Sequence, residues 1–387
     1  MPTITEIEDL KRIYKRRAPK MFYDYTESGS WTEQTFRDNS SDFDDIRLRQ
    51  RVAVDMEGRS TASEMIGEPV TMPVALAPVG LTGMQYADGE IAAARAAERF
   101  GVPFTLSTMS ICSIEDVAEH TSKPFWFQLY VMRDQDFTRN VIDRAKDAGC
   151  SALVLTLDLQ ILGQRHKDIK NGLSAPPKMT FKSIMDMGWR IPWGLGMLGT
   201  KRRSFGNIVG HAKGVDDMSS LSSWTAQQFD PSLDWGKVEK LRDQWGGKLV
   251  LKGILDPEDA TMAKKIGADA ITVSNHGGRQ LDGALSSIRA LPAIRDAVGN
   301  DVELHLDSGI RSGQDVLKAL AMGADATMVG RAWVYGLGAM GEQGVMEALR
   351  VIRTELDTTM ALCGKKDVKD LDRSVLLVPK GFEGDWQ

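Results

Sequence analysis

Ala270-Ile271-Thr272-Val273-Ser274-Asn275-His276-Gly277-Gly278-Arg279-Gln280-Leu281-Asp282-Gly283 is a short apolar, β-branched run that turns abruptly polar. The first four residues read as a buried strand, and the end of that strand delivers a histidine and an arginine three positions apart. A histidine can take up a proton near neutral pH, and an arginine can hold a carboxylate through two parallel hydrogen bonds. The glycines between them leave the backbone free to approach a flat ligand. Such a set suits the deprotonation of a molecule that carries a carboxylate. A glycine-rich turn with an incidental surface histidine and arginine is the plain alternative, so the rest of the chain has to decide.

The same strand-to-chemistry pattern recurs along the sequence. Apolar runs at Pro73–Ala77, Pro103–Ser107, Trp126–Tyr130, Leu153–Asp158, Leu249–Lys252, Ala270–Ser274, Val302–Asp307 and Ala326–Gly330 predict eight strands. Helical periodicity fills stretches between them, at Gly89–Phe100, Ser113–His120, Asp134–Ala148, Pro257–Ile266, Ser287–Val298 and Gly313–Met322. Gly101, Gly149, Gly267 and Gly323 mark the turns back to the next strand. Eight alternating units over Pro73 to Leu362, with one long insertion after strand 4, predict a (β/α)8 TIM barrel of the usual length. An open doubly wound sheet competes, but no GxGxxG follows the first strand. The predicted strands end at Ser107, Gln128 with Tyr130, Thr156 with Asp158, Lys252, Ser274 with His276, Asp307, and Gly330 with Arg331. In a barrel those ends converge on one face, the face that carries the active site.

Two regions stand outside the alternation. Residues 1–72 predict an N-terminal helical extension packing on a barrel that spans 73–387. The insertion, 172–234, is far longer than an ordinary connection. It carries Trp189, Trp193, Leu195, Met197 and Leu198, with Lys201-Arg202-Arg203 and Phe205 directly after. Three readings stay open: a lid over the barrel mouth, a segment that lies on an anionic membrane surface, or disorder.

Composition narrows the class. The net charge of −5 offers no basic field for nucleic acid. Three scattered cysteines, Cys112, Cys150 and Cys363, suit a reducing compartment and form no zinc-ligand spacing, so no metal is expected. The start of the chain is charged and amphipathic, and no apolar run reaches the length of a membrane span. A cytoplasmic protein is expected, at most peripheral on the inner face of the membrane.

Glycine-rich turns and arginines after strands 7 and 8, at Asp307-Ser308-Gly309-Ile310-Arg311 and Gly330-Arg331, form the usual barrel phosphate site. Helix caps and packing glycines are the alternative. Lys252 at an inner strand end can form a Schiff base, as in aldolases, or offset negative charge on a cofactor ring. Asp158 can orient His276 and stabilise its imidazolium, or cap a helix. Arg165 can be a second carboxylate contact or a surface residue. His166 sits in a charged run and reads as solvated, while His120, His211 and His305 have no partner in sequence.

These residues resemble the FMN-dependent α-hydroxy acid dehydrogenase/oxidase family, and the resemblance spans nearly the whole chain. It rests on the Ser274–Gly283 block together with Tyr23-Asp24-Tyr25, Leu76-Ala77-Pro78, Leu106-Ser107-Thr108, Phe127-Gln128-Leu129-Tyr130, Thr156-Leu157-Asp158, Lys252-Gly253 and Gly330-Arg331. Gly277-Gly278 and the run from Lys252 to Ala260 look closest to its bacterial respiratory L-lactate dehydrogenases. The resemblance implies FMN as cofactor, His276 as base and Asp158 as its partner. It implies Arg165 and Arg279 on the substrate carboxylate, with Tyr25 and Tyr130 on its oxygens. Flavin contacts would come from Val79, Gly80, Ser107, Gln128, Thr156, Lys252 and Ser274, and phosphate contacts from Asp307, Gly309, Arg311, Gly330 and Arg331. The implied reaction oxidises a small L-2-hydroxy acid and passes electrons to quinone, cytochrome or oxygen, in a homotetramer. Many oxidases of the family carry alanine and tryptophan where this chain has Gly80 and Met109, which leaves open a mandelate- or glycolate-type dehydrogenase or an oxygen-using oxidase. A phosphate-binding aldolase is the non-redox alternative.

Overall fold

A computed structural model describes residues 3–173, 181–212, 215 and 229–383. Its centre is a parallel sheet of eight strands: β1 (Val74–Leu76), β2 (Thr105–Ser107), β3 (Trp126–Leu129), β4 (Ala152–Thr156), β5 (Lys248–Ile254), β6 (Ala270–Val273), β7 (Glu303–Asp307) and β8 (Ala326–Val329). They run in the order β1-β8-β7-β6-β5-β4-β3-β2, and a bridge between Leu76 and Phe104 joins the two ends into a barrel. Every residue of β1, β2, β3, β4, β6 and β8 is buried. That is why they read as continuous apolar runs rather than alternating ones.

Helices pack outside the barrel, and their starts are written in the sequence. Asp134, Asp234 and Asp256 cap theirs through side-chain acceptors, while Ser113 and Ser312 form reciprocal capping boxes with Asp116 and Asp315. Two helices absent from the sequence pattern, Arg331–Met340 and Glu342–Leu362, cross unusually closely. A Cβ on Gly336 would lie 2.2 Å from the carbonyl oxygen of Gly344, and one on Gly338 would lie 2.0 Å from the Tyr14 ring. The glycines that permit this approach also weaken the helical signal.

At the opposite end from the polar strand ends, the hairpin Ser63–Met65/Glu68–Val70 closes the barrel with Met65, Ile66 and Val70. His305 lies inside the barrel, stacked on Trp126 with ring centroids 5.9 Å apart and bonded through Nε2 to Glu303 at 2.8 Å. It is a structural histidine. The helix Gln34–Asp45 closes over the other end, where Asn39 and Asn275 exchange side-chain bonds of 2.8 and 2.7 Å.

Within the insertion, the described part holds two helices, Phe181–Trp189 and Ile191–Gly199. Residues 174–180, 213–214 and 216–228 of the 172–234 segment lie outside the described residues. The helices and the chain after them are fastened to loops that follow β1 and β2. Trp193 Nε1 donates to the carbonyl of Met84 at 2.8 Å, and its ring packs on Phe22. Thr200 donates to Asp88, and the Arg202 guanidinium pairs with both Asp88 and Asp116. Asn207 is fully buried, donating to Ser110 Oγ and accepting from the Ile114 N–H. The apolar and basic groups therefore divide differently from the sequence reading. Trp193 and Met197 face the protein, and Arg202 is spent on two carboxylates rather than held out toward solvent. The outward apolar face consists of Ile184, Met185, Trp189, Ile191, Leu195 and Leu198, with Trp189 79% exposed.

Candidate active site

The carboxyl ends of the strands converge as the sequence pattern requires. His276 follows β6 in the left-handed region, at φ 59°, where a non-glycine residue is strained and needs support. Its N–H donates to Ser274 Oγ at 3.0 Å, and Gly277 N–H donates to Ser308 Oγ at 2.9 Å, so the turn is fixed on both sides. The imidazole Nδ1 meets Asp158 Oδ1 at 2.9 Å, and Nε2 faces the hydroxyl of Tyr130 at 3.4 Å. Burial, then the neighbouring Asp158, pushes the Tyr130 phenol far above its usual range, so it remains a hydroxyl donor.

Arg279 stands beside this pair. Its Nη1 donates to Ser28 Oγ at 3.0 Å and to the carbonyls of Ser28 and Tyr25, and its guanidinium lies over the Tyr25 ring, 4.6 Å from the centroid. Its Nη2 is buried with no hydrogen-bond partner. Arg165 approaches the same ring at 5.9 Å. Burial, and after it the proximity of Arg165, lowers the pKa of Arg279. Two guanidiniums around one tyrosine, one with a buried N–H that makes no hydrogen bond, could hold an anion.

Beneath them, Lys252 Nζ donates to Asp307 at 2.7 Å and to Ser274 Oγ at 2.8 Å. Burial alone would raise the Asp307 carboxyl, but Lys252 and the Ser274 hydroxyl outweigh it and hold the carboxyl below its usual range. This commitment of Lys252 to a carboxylate suits an electrostatic role and not attack on a carbonyl. Around the same layer, Ser107 Oγ donates to Gln128 Oε1 at 3.0 Å, leaving the Gln128 amide nitrogen and Thr156 Oγ1 buried without partners. Orphaned donors facing a polar strand-end layer fit the heteroatom edge of a flavin ring, which offers acceptors and a donor. Val79 and Gly80 border that layer on the turn after β1. A Cβ on Gly80 would lie 3.1 Å from Met109 and 3.6 Å from the Tyr25 hydroxyl.

The phosphate reading needs correction at Asp307. The Asp307 carboxylate belongs to the Lys252–Ser274 layer. The Arg331 side chain is buried and donates to the carbonyls of Thr26, Gly277 and Ser28, which uses three of its five N–H groups. What remains at that end of the barrel is backbone, at Gly330 and at the start of the helix Arg331–Met340, together with the partly exposed Arg311. Gly309 is needed for packing, since a Cβ there would lie 2.0 Å from the carbonyl oxygen of Asn39. Gly277 and Gly278 have the same cause. Their missing Cβ atoms make room for Arg331 and for the backbone of Phe36.

Several residues that shape the site escaped the sequence reading. Asp168 is buried against Arg165, Arg279 and Ser28. Glu90, also buried, accepts from the N–H groups of Gly83, Ile111 and Cys112, tying the loop after β1 to the loop after β2. Gln280 donates to the carbonyls of Asp158 and Ile161. Each is an acidic or amide residue in a polar stretch, where sequence pattern does not separate a buried polar group from a solvated one.

A closed parallel barrel, a His–Asp pair and a two-arginine anion site above a lysine-containing polar layer define a flavin-linked oxidoreductase of hydroxy acids, and residues 14–378 match the family model described as FMN-dependent dehydrogenase. The chain belongs to that family, and FMN is its cofactor. It is 46% identical over 380 residues to an L-lactate dehydrogenase of Actinobacillus pleuropneumoniae, covering 97% of this chain and 98% of that protein. A Haemophilus influenzae L-lactate dehydrogenase is 46% identical over 379 residues, with the same coverage of 97% and 98%. Among solved structures, the monotopic membrane protein (S)-mandelate dehydrogenase superposes with a TM-score of 0.93 at 35% identity, covering 98% of this chain and 100% of that one. A mandelate oxidase bound to (S)-2-phenylpropionate gives 0.81 at 34% identity, over 97% and 98% of the two chains.

Proposed function

We propose that this protein oxidises L-lactate to pyruvate. The observation that carries the reading is the buried Nη2 of Arg279, which makes no hydrogen bond, next to the His276–Asp158 pair. Arg279 and Arg165 grip the carboxylate, which fixes C2 and its hydroxyl relative to His276 and turns an encounter into an oriented approach. His276 Nε2 takes the substrate proton, and Asp158, on Nδ1, offsets the charge gained. Tyr130, kept protonated, donates to the substrate oxygen. FMN, when bound, accepts the two electrons removed from C2. Lys252 would offset the negative charge that the cofactor gains on reduction. Val79, Gly80, Ser107, Gln128, Thr156 and Ser274 would hold its ring, while Gly309, Arg311, Gly330 and the Arg331 backbone would hold its phosphate.

The test is anaerobic bleaching of the yellow holoprotein by L-lactate, glycolate and (S)-mandelate in parallel. Fastest bleaching by L-lactate is expected. A mandelate-type enzyme is the second reading, favoured by the 0.93 superposition and by the flexible Met109 beside Gly80. Bleaching by mandelate but not lactate selects it, and no bleaching by any of them removes both.

Quinone at a membrane is the proposed electron acceptor, and attachment is peripheral. Among the described residues no helix is long and apolar enough to cross a membrane. The outward face Ile184, Met185, Trp189, Ile191, Leu195 and Leu198 instead suits entry into the bilayer interface. Trp189→Ser with Leu195→Ser and Leu198→Ser should weaken binding to anionic vesicles by more than ~10-fold, given the apolar area lost. Bleaching should persist, because none of the three belongs to the inward contacts at Trp193, Thr200, Arg202 or Asn207. Wild-type protein that ignores such vesicles at low salt would assign the face to a lid. Faster reoxidation by oxygen than by a quinone would replace the acceptor. A homotetramer is proposed from the family resemblance, and sedimentation measures it.

A further inference from the structure

We propose that Asp168 sets the net charge of the substrate site, and so makes it a receptor for monocarboxylates in preference to dicarboxylates. The inference rests on Arg165 and Arg279 being the carboxylate clamp. Asp168 lies in the short helix His166–Lys170 and is buried, with Oδ2 3.2 Å from Arg165 Nε and 3.8 Å from Arg279 Nη2. Its other oxygen accepts from Ser28 Oγ at 3.0 Å, and the same hydroxyl accepts from Arg279 Nη1 at 3.0 Å. One carboxylate thus reaches both guanidiniums, the second through a serine as well as directly.

The electrostatics give this contact its purpose. Two guanidiniums packed around Tyr25 repel one another, and burial strengthens the repulsion. Asp168 offsets one of the two charges. Elsewhere in the site Lys252 is matched by Asp307, Arg331 has Glu27 nearby, and Asp158 faces the neutral His276 that the proposed reaction requires as its base. The clamp is left with a single positive charge, which one substrate carboxylate neutralises. A dianion would leave one negative charge uncompensated in a site of low polarisability. Asp168 touches no substrate atom by this account; it is a positioning residue that works through the arginines.

The experiment compares a dianion with a monoanion on the FMN-loaded protein. Dissociation constants for oxalate and propionate are read from the perturbation of the flavin absorbance. In Asp168→Asn, loss of order in the clamp weakens both ligands, but the added positive charge acts twice as strongly on the dianion. The propionate-to-oxalate ratio of dissociation constants should therefore rise by about tenfold or more. Asp168→Glu, which restores the charge, should bring the ratio back toward wild type, and Ser28→Ala, which loosens the clamp at constant charge, should leave the ratio unmoved. If Asp168→Asn does not fold, Asp168→Ser provides the same uncharged comparison. A ratio that stays put, or falls, in the uncharged variants overturns the proposal. Arg165→Met separates this from failure of the clamp itself: both ligands must bind more weakly in that variant, and unchanged binding would remove the clamp and the role of Asp168 with it.

Discussion

Replacing His276 with glutamine is expected to slow lactate-driven bleaching of the flavin by ~10²–10⁴-fold while leaving the flavin bound. Glutamine can keep a hydrogen bond toward Asp158 or Tyr130, whose positions are fixed by other contacts, but it cannot take a proton. The polar layer at Lys252, Ser274 and Asp307 is untouched, so retention of the cofactor should be near normal. The left-handed backbone at position 276 disfavours glutamine no more than histidine by a large margin, since both are non-glycine residues held by the Ser274 contact. Stopped-flow reduction under anaerobic conditions is the measurement. A rate within a few-fold of wild type would transfer the base to another group.

Arg279→Lys carries the second large effect. Lysine keeps the charge and loses the fork. Arg279 uses Nη1 for Ser28 and the Tyr25 carbonyl, its plane for the Tyr25 ring, and leaves Nη2 over. One ammonium cannot reproduce these roles together. Disrupting a buried, hydrogen-bonded charge pair costs about 2–5 kcal/mol, which corresponds to a fall in kcat/KM of roughly 30- to 5,000-fold. Oxalate affinity should fall with it. Unaltered kcat and KM would make Arg279 a structural residue that only fastens the Ser28 loop.

The barrel was legible because its strands are buried on both faces and therefore spell uninterrupted apolar runs. The polar residue that ends each run, such as Gln128, Thr156 or Lys252, then had to share one face. His276 and Arg279 were legible for the same reason, sitting just past a strand end. Asp168 was not, because it sits among Arg165, His166 and Lys167, a stretch that looks like any solvated helix start. Only the third dimension shows that Ser28 and Arg279 cover it. Arg331 has a structural role that was hidden for a related cause. Its position after β8 suggested a phosphate ligand, whereas its side chain closes the space left by Gly277 and the loop at Thr26–Ser28. The helices Arg331–Met340 and Glu342–Leu362 were hidden by the glycines that bring them together. In the insertion, sequence identified an apolar, aromatic and basic cluster, but which side of each helix meets the protein depends on contacts such as Trp193 with Met84.

The Arg331 contacts bear on how the protein is made. Thr26 and Arg331 are 305 residues apart, and Ser28 and Arg331 are 303 apart. At ribosomal speeds of ~5–20 residues per second, the loop at Thr26–Ser28 leaves the ribosome roughly 15–60 s before the residue that anchors it. Over that interval the helix containing Gly338, against which the Tyr14 ring packs, has yet to be made. The N-terminal segment thus waits for nearly the whole chain before its last contacts form, and the arginine pair at Arg165 and Arg279 is ordered late in synthesis.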